Sequence, residues 1–457
     1  MRLGWVVAAA GIAVAGACWR GLAAGSVSPA GRAALGVAAL AVGLWASELL
    51  PMPLTAILAM LLLSITGAAR PLEAAFVGFS SPILFFLLGS AAIGIAAEQT
   101  LLADRLAGWL LDRSRGSGRL VLRDLLLSMP LQALIVPSAI SRNAVLVPIY
   151  QRVLTQLGHP ARLGAAVMLT LGVLGPIASS ALLTGGTSPV AASQALGGFT
   201  WISWFVAVGP PYYVLLAAGG LVVWVVARPE SVVTRDETLA VTVPSGVRRA
   251  EWTVAVVSAA TSLLWVMDGI THWQPAIPAL LALVVLLIPG IGVMSWGTFA
   301  TRAPWGICIV LAWAVSLGGA LSRTGAAAWM ARGLFGHFAL PGSAPLRALM
   351  VFLVTAVITL AIPNRAAAIT LCIPLATAFA ASGSLSRVAA GLVVMIAVDA
   401  EAIYPAQTAA NLLAFDTGYF NGGQLARFNL ITLTAAAAVA AFVALPWWSL
   451  VGLPGGP

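Results

Sequence analysis

Along most of this chain the polar positions come in short clusters, and between them lie apolar runs with neither the alternation of a barrel strand nor one polar helical face. Runs of this length predict membrane-crossing helices near 3–22, 33–50, 53–69 and 81–98, then near 201–227, 251–268, 275–290, 304–322 and 426–449. Two stretches differ. Residues 121–136 and 144–158 are short for a full crossing and meet at Pro137-Ser138-Ala139-Ile140-Ser141-Arg142-Asn143, which predicts a hairpin that enters and leaves on one side. A second such hairpin is expected over 345–382. Residues 163–195 and 388–414 are apolar but interrupted, the first at Gly185-Gly186-Thr187-Ser188-Pro189, and read as broken helices. Segments 101–114 and 325–337 read as helices lying along the membrane surface.

The order crossing, surface helix, hairpin, broken helix therefore occurs twice. Pro137 and Pro148 stand eleven residues apart, and so do Pro363 and Pro374, 226 residues further on. The chain divides into N-terminal helices (1–80), a first repeat unit (81–227, with hairpin 121–158 and broken helix 163–195), a polar loop (228–250), connecting helices (251–303) and a second unit (304–449, with hairpin 345–382 and broken helix 388–414). The expected architecture is an all-α polytopic membrane protein, an inverted-repeat transporter with about eleven transmembrane helices, two re-entrant hairpins and broken helices. Unwound backbone is tolerated at membrane depth only where it lines a cavity or is buried in protein, so the breaks mark the pathway.

Composition narrows the class. Of 457 residues 61% are hydrophobic and 8% charged, which excludes an ordinary soluble enzyme and a disordered chain. The net charge is +9 with no Lys, so a P-loop is excluded, and with no soluble domain to hold a basic groove no nucleic-acid partner is expected. The cluster Arg113, Arg115, Arg119 and Arg123 marks the cytoplasmic side, placing the N-terminus in the cytoplasm and the C-terminus outside the inner membrane. The first helix could imitate a signal peptide and is read as retained. Cys18, Cys308 and Cys372, and His159, His272 and His337, are dispersed, so no metal cluster and no enzyme is expected.

The residues Leu44-Trp45-Ala46-Ser47-Glu48-Leu49-Leu50-Pro51, Gly78-Phe79-Ser80-Ser81-Pro82, the stretch from Thr408 through Asn411 to Gly418-Tyr419-Phe420, and Pro446-Trp447-Trp448 resemble, in order, segments of the divalent anion/sodium symporter family, over about Gly31 to Leu453. The resemblance implies Ser-Asn-Thr at each hairpin tip, helping to hold sodium and carboxylate. This chain keeps Ser138 but has Ala139 and Ile140 after it, and the second tip reads Asn364, Arg365, Ala366. The first broken helix has Val190 where the family pattern has Asn; the second, Pro405 to Asn411, stays closer to it. The resemblance also implies a homodimer and no cofactor beyond a sodium ion, placed near Ser138, Gly186, Asn364 and Gln407.

Arg142 and Arg365 stand out chemically. A charge at membrane depth faces a pathway or a partner, and Arg suits bidentate binding of a carboxylate or sulfate. Their expected partners are Asp399 and Glu401, which are also the candidates for proton carriage or ion coupling. The expected substrate-binding set is Ser138, Ser141, Arg142, Asn143, Thr187, Ser188, Asn364, Arg365, Thr408 and Asn411. Glu48 and Glu98 read as inter-helix pairing residues, and Trp447 and Trp448 as an interfacial belt. The expected function is secondary transport of a small divalent anion in the lipid bilayer, a C4-dicarboxylate first. A sulfate permease, an anion exchanger, a proton-coupled transporter and, in another class, a cation/proton antiporter are the alternatives.

Overall fold

A computed structural model describes residues 27–47, 49–100, 117–135, 139–158, 160–228, 249–335, 342–360, 362, 365–380 and 384–453, with 13, 16 and 17. The first expected helix (apart from 13, 16 and 17), the surface helix at 101–114, Glu48, most of the 228–250 loop, and Ser138 and Asn364 lie outside these residues.

Every regular element among the described residues is helical. In chain order they are α1 (Pro29–Ser47), α2 (Met52–Ile65), α3 (Leu72–Phe76), α4 (Pro82–Gln99), α5 (Gly118–Ile135), α6 (Ala139–Gln156), α7 (Ala161–Ser180), α8 (Thr187–Ala195), α9 (Trp201–Ala227), α10 (Arg249–Val266), α11 (Ala276–Leu287), α12 (Trp296–Arg302), α13 (Trp305–Arg323), α14 (Ala326–Phe335), α15 (Ala344–Thr359), α16 (Arg365–Ala380), α17 (Arg387–Ala400), α18 (Ala409–Phe415) and α19 (Gly422–Leu450). Among the described residues five helices are long and apolar enough to cross a membrane: Leu72–Gln99, Ala161–Ser180, Trp201–Ala227, Trp305–Arg323 and Gly422–Leu450. Large apolar side chains such as Leu127, Leu221, Leu263 and Phe442 point outward, as a lipid-facing surface requires.

Among the described residues, two successive helices followed by a broken helix occur twice: α5 and α6, then α7–α8; and α15 and α16, then α17–α18. The second half of each broken helix packs against the hairpin of the other unit, α8 on α16 and α18 on α6, so the two breaks face each other across the middle of the molecule. α4 and α11 pack so closely that a Cβ at Gly89 would fall 2.4 Å from the backbone of Ala279. That contact joins the first unit to the connecting helices, and the Glu98–Arg302 ion pair joins α4 to α12.

Two boundaries differ from the sequence expectation. The second arm of the first hairpin starts at Ala139, so Ser141, Arg142 and Asn143 belong to its first turns and not to an extended tip. The first broken helix unwinds between Ser180 and Thr187, earlier than expected. Thr187, Ser188 and Pro189 form the first turn of α8, where the missing N–H of Pro189 costs no intrahelical bond. α7 also carries a π-helical turn over Thr170–Leu174 just before Pro176, as α19 does over Ala440–Ala444 before Pro446.

Trp447 and Trp448 are also not a simple belt. Pro210 and Pro211 sit inside α9 and cannot donate to the carbonyls four residues back. The indole N–H groups of Trp447 and Trp448 donate to those carbonyls, Val206 at 2.7 Å and Ala207 at 2.8 Å. Two consecutive prolines on one helix are thus matched by two consecutive tryptophans on another.

Candidate functional site

The second break is built by the end of α17 and a single buried amide. α17 closes at Ala400; Glu401 to Tyr404 run extended, Pro405–Gln407 make one 3-10 turn, and α18 begins at Ala409 with Thr408 as its cap. Backbone groups released by such a break need partners when buried. Asn429 of α19 supplies two: its Nδ2 donates to the Ala400 carbonyl at 2.8 Å and its Oδ1 accepts from the Ala402 N–H at 2.9 Å. Asn429 is fully buried and was not among the expected site residues. Its one sequence signal is an amide in the apolar run of the last helix.

Asp399 and Glu401 are both 1% exposed. They face different neighbours because the helix ends between them. The Asp399 carboxylate accepts from the Tyr212 hydroxyl at 3.0 Å and lies against the Ser180 and Ser188 hydroxyls. The Glu401 carboxylate accepts from Gln407 Nε2 at 2.7 Å and from the Thr359 hydroxyl at the end of α15. Among the described residues neither carboxylate forms an ion pair with Arg365 or Arg142. The expected acid–arginine pairing therefore has no direct contact, while the Arg365 charge acts on both carboxylates from beyond ion-pair distance. Each acid takes its hydrogen bonds from neutral O–H and N–H donors, and Arg365 donates from Nη2 to the Glu401 backbone carbonyl at 3.4 Å. Its Nε is buried without a hydrogen-bond partner.

Arg142 is buried on the other side of the centre. Its Nη2 donates to the Gly175 carbonyl at 3.1 Å and to the Ser179 hydroxyl, both on α7. Asn143 Nδ2 donates to the Leu171 carbonyl in the π turn at 3.0 Å and to the Ala410 carbonyl of α18 at 2.9 Å, tying the first hairpin to the second broken helix. The π turn shapes this contact further: a Cβ at Gly172 would fall 2.9 Å from Asn411 Oδ1, so Gly172 lets Asn411 approach. Asn411 is fully buried; its Nδ2 bonds the Tyr404 and Pro405 carbonyls at 3.4 and 3.5 Å, while its Oδ1 is buried without a partner.

The expected residues therefore fall into two neighbourhoods. Arg365, Asp399, Glu401, Ser188 and Gln407 gather at the second break, with Tyr212, Thr359, Ser180 and Asn429 as members the sequence reading missed. Arg142, Asn143 and Asn411 gather where α6, α7 and α18 meet, with Ser179 added. Thr408 caps α18 by accepting from the Asn411 N–H at 3.2 Å. Gly186 and Thr187 lie half-buried at the first break, and the side chain of Ser141 is outside the described set.

Of the residues expected near a sodium ion, Ser138 and Asn364 lie outside the described residues, and Gln407 has its side-chain oxygen engaged. Gln407 Oε1 accepts from the Ile403 N–H at 2.8 Å, and the Glu401 carbonyl accepts from Arg365. Among the described residues no group of His, Cys, Asp and Glu could hold a metal ion, and Cys308 and Cys372 are buried free thiols. Away from the breaks, a cavity of about 630 Å³ opens between the start of α4, the α8–α9 loop and the α10–α11 loop. Asp268, His272, Thr200 and Gln274 line it, and none of the expected site residues does.

Known proteins resemble this chain in sequence and in fold. A "Membrane protein" from Cupriavidus necator is 28% identical over 409 residues, covering 83% of this chain and 77% of that one. The "Sodium-dependent dicarboxylate transporter SdcS" of Staphylococcus saprophyticus is 22% identical over 451 residues, covering 88% and 84%. The solved Alcanivorax borkumensis YdaH transporter superposes with a TM-score of 0.50 at 17% identity, covering 88% of this chain and 90% of its own, a likeness of fold. Residues 5–453 match the family described as the sodium:sulfate symporter transmembrane region, and the chain belongs to that family of membrane transporters.

Proposed function

We propose that this chain carries small divalent anions across the cell inner membrane, C4-dicarboxylates first among them. Family membership and the dicarboxylate transporters among its relatives support the substrate class. The single observation that carries the reading is Arg365. It begins the second arm of its hairpin, stands beside the break between α17 and α18, is only partly covered, and keeps an Nε–H without a protein partner. A fixed cation with a spare donor suits one carboxylate of a dianion. The hydroxyls of Ser188 and Thr187 at the start of α8 are the proposed neutral contacts, and the two breaks facing one another supply the interface at which an alternating-access cycle would expose the substrate to either side.

The homodimer, the cytoplasmic N-terminus and the external C-terminus remain part of this proposal, resting on family resemblance and on the Arg distribution. The test is counterflow of labelled succinate in proteoliposomes of the purified full chain, with sulfate, citrate and chloride as competitors. Concentrative succinate uptake, suppressed by unlabelled dicarboxylates, is expected. Counterflow of sulfate with none of succinate would make the chain a sulfate permease. Counterflow of neither, with sodium- or potassium-dependent proton movement, would favour the antiporter reading.

A further inference from the structure

Pro176 decides what the π turn of α7 leaves over. In that turn the Gly175 N–H bonds the Thr170 carbonyl, five residues back, in place of the Leu171 carbonyl, four back. The next residue, Pro176, has no N–H. The two helix donors that could serve Leu171 are therefore taken or missing, and its carbonyl, on a buried residue, needs a partner from elsewhere. Asn143 of α6 supplies one, with Nδ2 donating at 3.0 Å.

An amide nitrogen carries two protons, and the second one on Asn143 goes to the Ala410 carbonyl of α18 at 2.9 Å. Two carbonyl partners also fix which way the amide points, because only its nitrogen can donate. What Asn143 has left is an oxygen, an acceptor that an anion cannot use. A residue expected to touch the substrate thus has no donor to offer a carboxylate or a sulfate. Its bonds join different elements instead. One ties α6 to α7 ahead of the first break, and the other ties α6 to the first turn of α18, just after the second break. α7 and α18 also meet at this point, where Gly172 leaves room for Asn411.

We propose that Asn143 is a positioning residue, a pin across α7 and α18 that sets the spacing of the two breaks and with it the fit of a substrate held between them. Pro176 belongs to the same device, since it withholds the N–H that could close the Leu171 carbonyl within its own helix. The effect on substrate rests on the anion-transport reading above; the pin itself rests on the hydrogen bonds alone.

The test has two arms on the full chain. An ordinary hydrogen bond is worth a factor of about five in an equilibrium constant, so amide hydrogen exchange of α18 in detergent should quicken about fivefold in Asn143→Ala. Adding Pro176→Ala returns an N–H within reach of the freed carbonyls of α7. The unfolding temperature should then recover in part while α18 exchange stays fast. Recovery of both would make Asn143 a cap for one carbonyl and overturn the proposal, as would unchanged α18 exchange in Asn143→Ala. Should Asn143→Ala not fold, Asn143→Ser takes its place, since one hydroxyl proton can keep at most one of the two bonds. Wild type alone must show the π turn and the first turn of α18 exchanging at matching rates, as one opening unit, and rates about tenfold or more apart overturn the proposal. In proteoliposomes, succinate counterflow is competed with malonate and glutarate. Wild type should discriminate among these chain lengths, and Asn143→Ala, with or without Pro176→Ala, should lose about fivefold of that discrimination. A lower rate with the chain-length preference intact would show a structural role alone and overturn the proposal. Counterflow of no anion would defeat the transport reading, and the exchange arm would then decide the pin.

Discussion

The indole N–H of Trp448 donates at 2.8 Å to the carbonyl of Ala207, the group that Pro211 leaves without its helical partner. Trp447 does the same for Val206, freed by Pro210. The pairing pins α19 to the middle of α9, the helix that also carries Tyr212 to Asp399. Replacing Trp448 by Phe keeps most of the packing but orphans a buried carbonyl, an expected loss of about 1–3 kcal/mol. Pro211→Ala returns an N–H to that carbonyl, so the penalty of Trp448→Phe should shrink in its background. Thermal unfolding of the four proteins in a double-mutant cycle checks this, and additive losses would show that the indole is held for packing alone.

Asn429 is expected to be a positioning residue. Asn429→Leu removes both bonds that hold the unwound backbone at Ala400 and Ala402, leaving two buried polar groups unpaired, a loss of about 2–4 kcal/mol. Asn429→Asp keeps the acceptor for Ala402 but sets an oxygen against the Ala400 carbonyl. We predict that both variants lower the maximal counterflow rate at least as much as they raise the apparent KM, because the break itself is disordered. A pure KM effect with an unchanged unfolding temperature would instead put the Asn429 amide in direct contact with substrate.

How much of this was legible in the chain follows from what each feature leaves in the sequence. The Gly-Gly-Thr-Ser-Pro run announces a break, since backbone that cannot continue a helix needs such residues, whereas Pro148 and Pro374, expected to mark the hairpins, lie inside the continuous helices α6 and α16. The π turn at Thr170–Leu174 is made of residues that any helix accepts, and its one mark is the Pro176 that follows it, as Pro446 follows the π turn of α19 at Ala440–Ala444. Arg142, Asn143 and Arg365 were conspicuous as polar groups in apolar surroundings, but their partners are backbone carbonyls, which carry no residue identity to read. For the same reason the acids were expected to pair with the arginines, and the tryptophans to mark a membrane boundary. Tyr212, Thr359 and Ser180 were overlooked because one hydroxyl in an apolar helix is commonplace until the fold shows which carboxylate it meets.

Asp399 and Tyr212 separate the anion-transporter reading from the antiporter one. With Tyr212, Ser180 and Ser188 as its neighbours, Asp399 can be replaced by Asn and still offer an oxygen to the Tyr212 hydroxyl. Asp399→Asn is therefore expected to retain measurable succinate counterflow, while Asp399→Leu, which strands the hydroxyls in a buried site, should abolish it. Tyr212→Phe should resemble Asp399→Asn. If the Asn variant is as dead as the Leu variant, the charge itself is needed and ion or proton coupling through Asp399 gains ground.

Asp268, at the mouth of the lateral cavity, gives a pH signature apart from transport. Its carboxylate accepts from the Trp201 N–H at 2.5 Å and so caps the start of α9, together with Thr200. Burial pushes its pKa above the ordinary carboxylate value, with the Trp201 and Gly269 N–H groups and nearby His272 pulling it back part of the way. The folded protein therefore binds this proton more readily than the unfolded chain does. Stability contributed by Asp268 must rise as pH falls from the raised value toward about 3.9, and fall as pH climbs through the raised value. Asp268→Asn keeps an oxygen for the Trp201 N–H and removes the titration. The unfolding temperature of wild type minus that of the variant should therefore be lowest near about pH 8 and increase steadily toward about pH 4. Repeating the series in a His272→Gln background removes the one titrating neighbour named above. A difference that stays flat across this range in both backgrounds would mean that solvent from the cavity reaches the carboxylate freely.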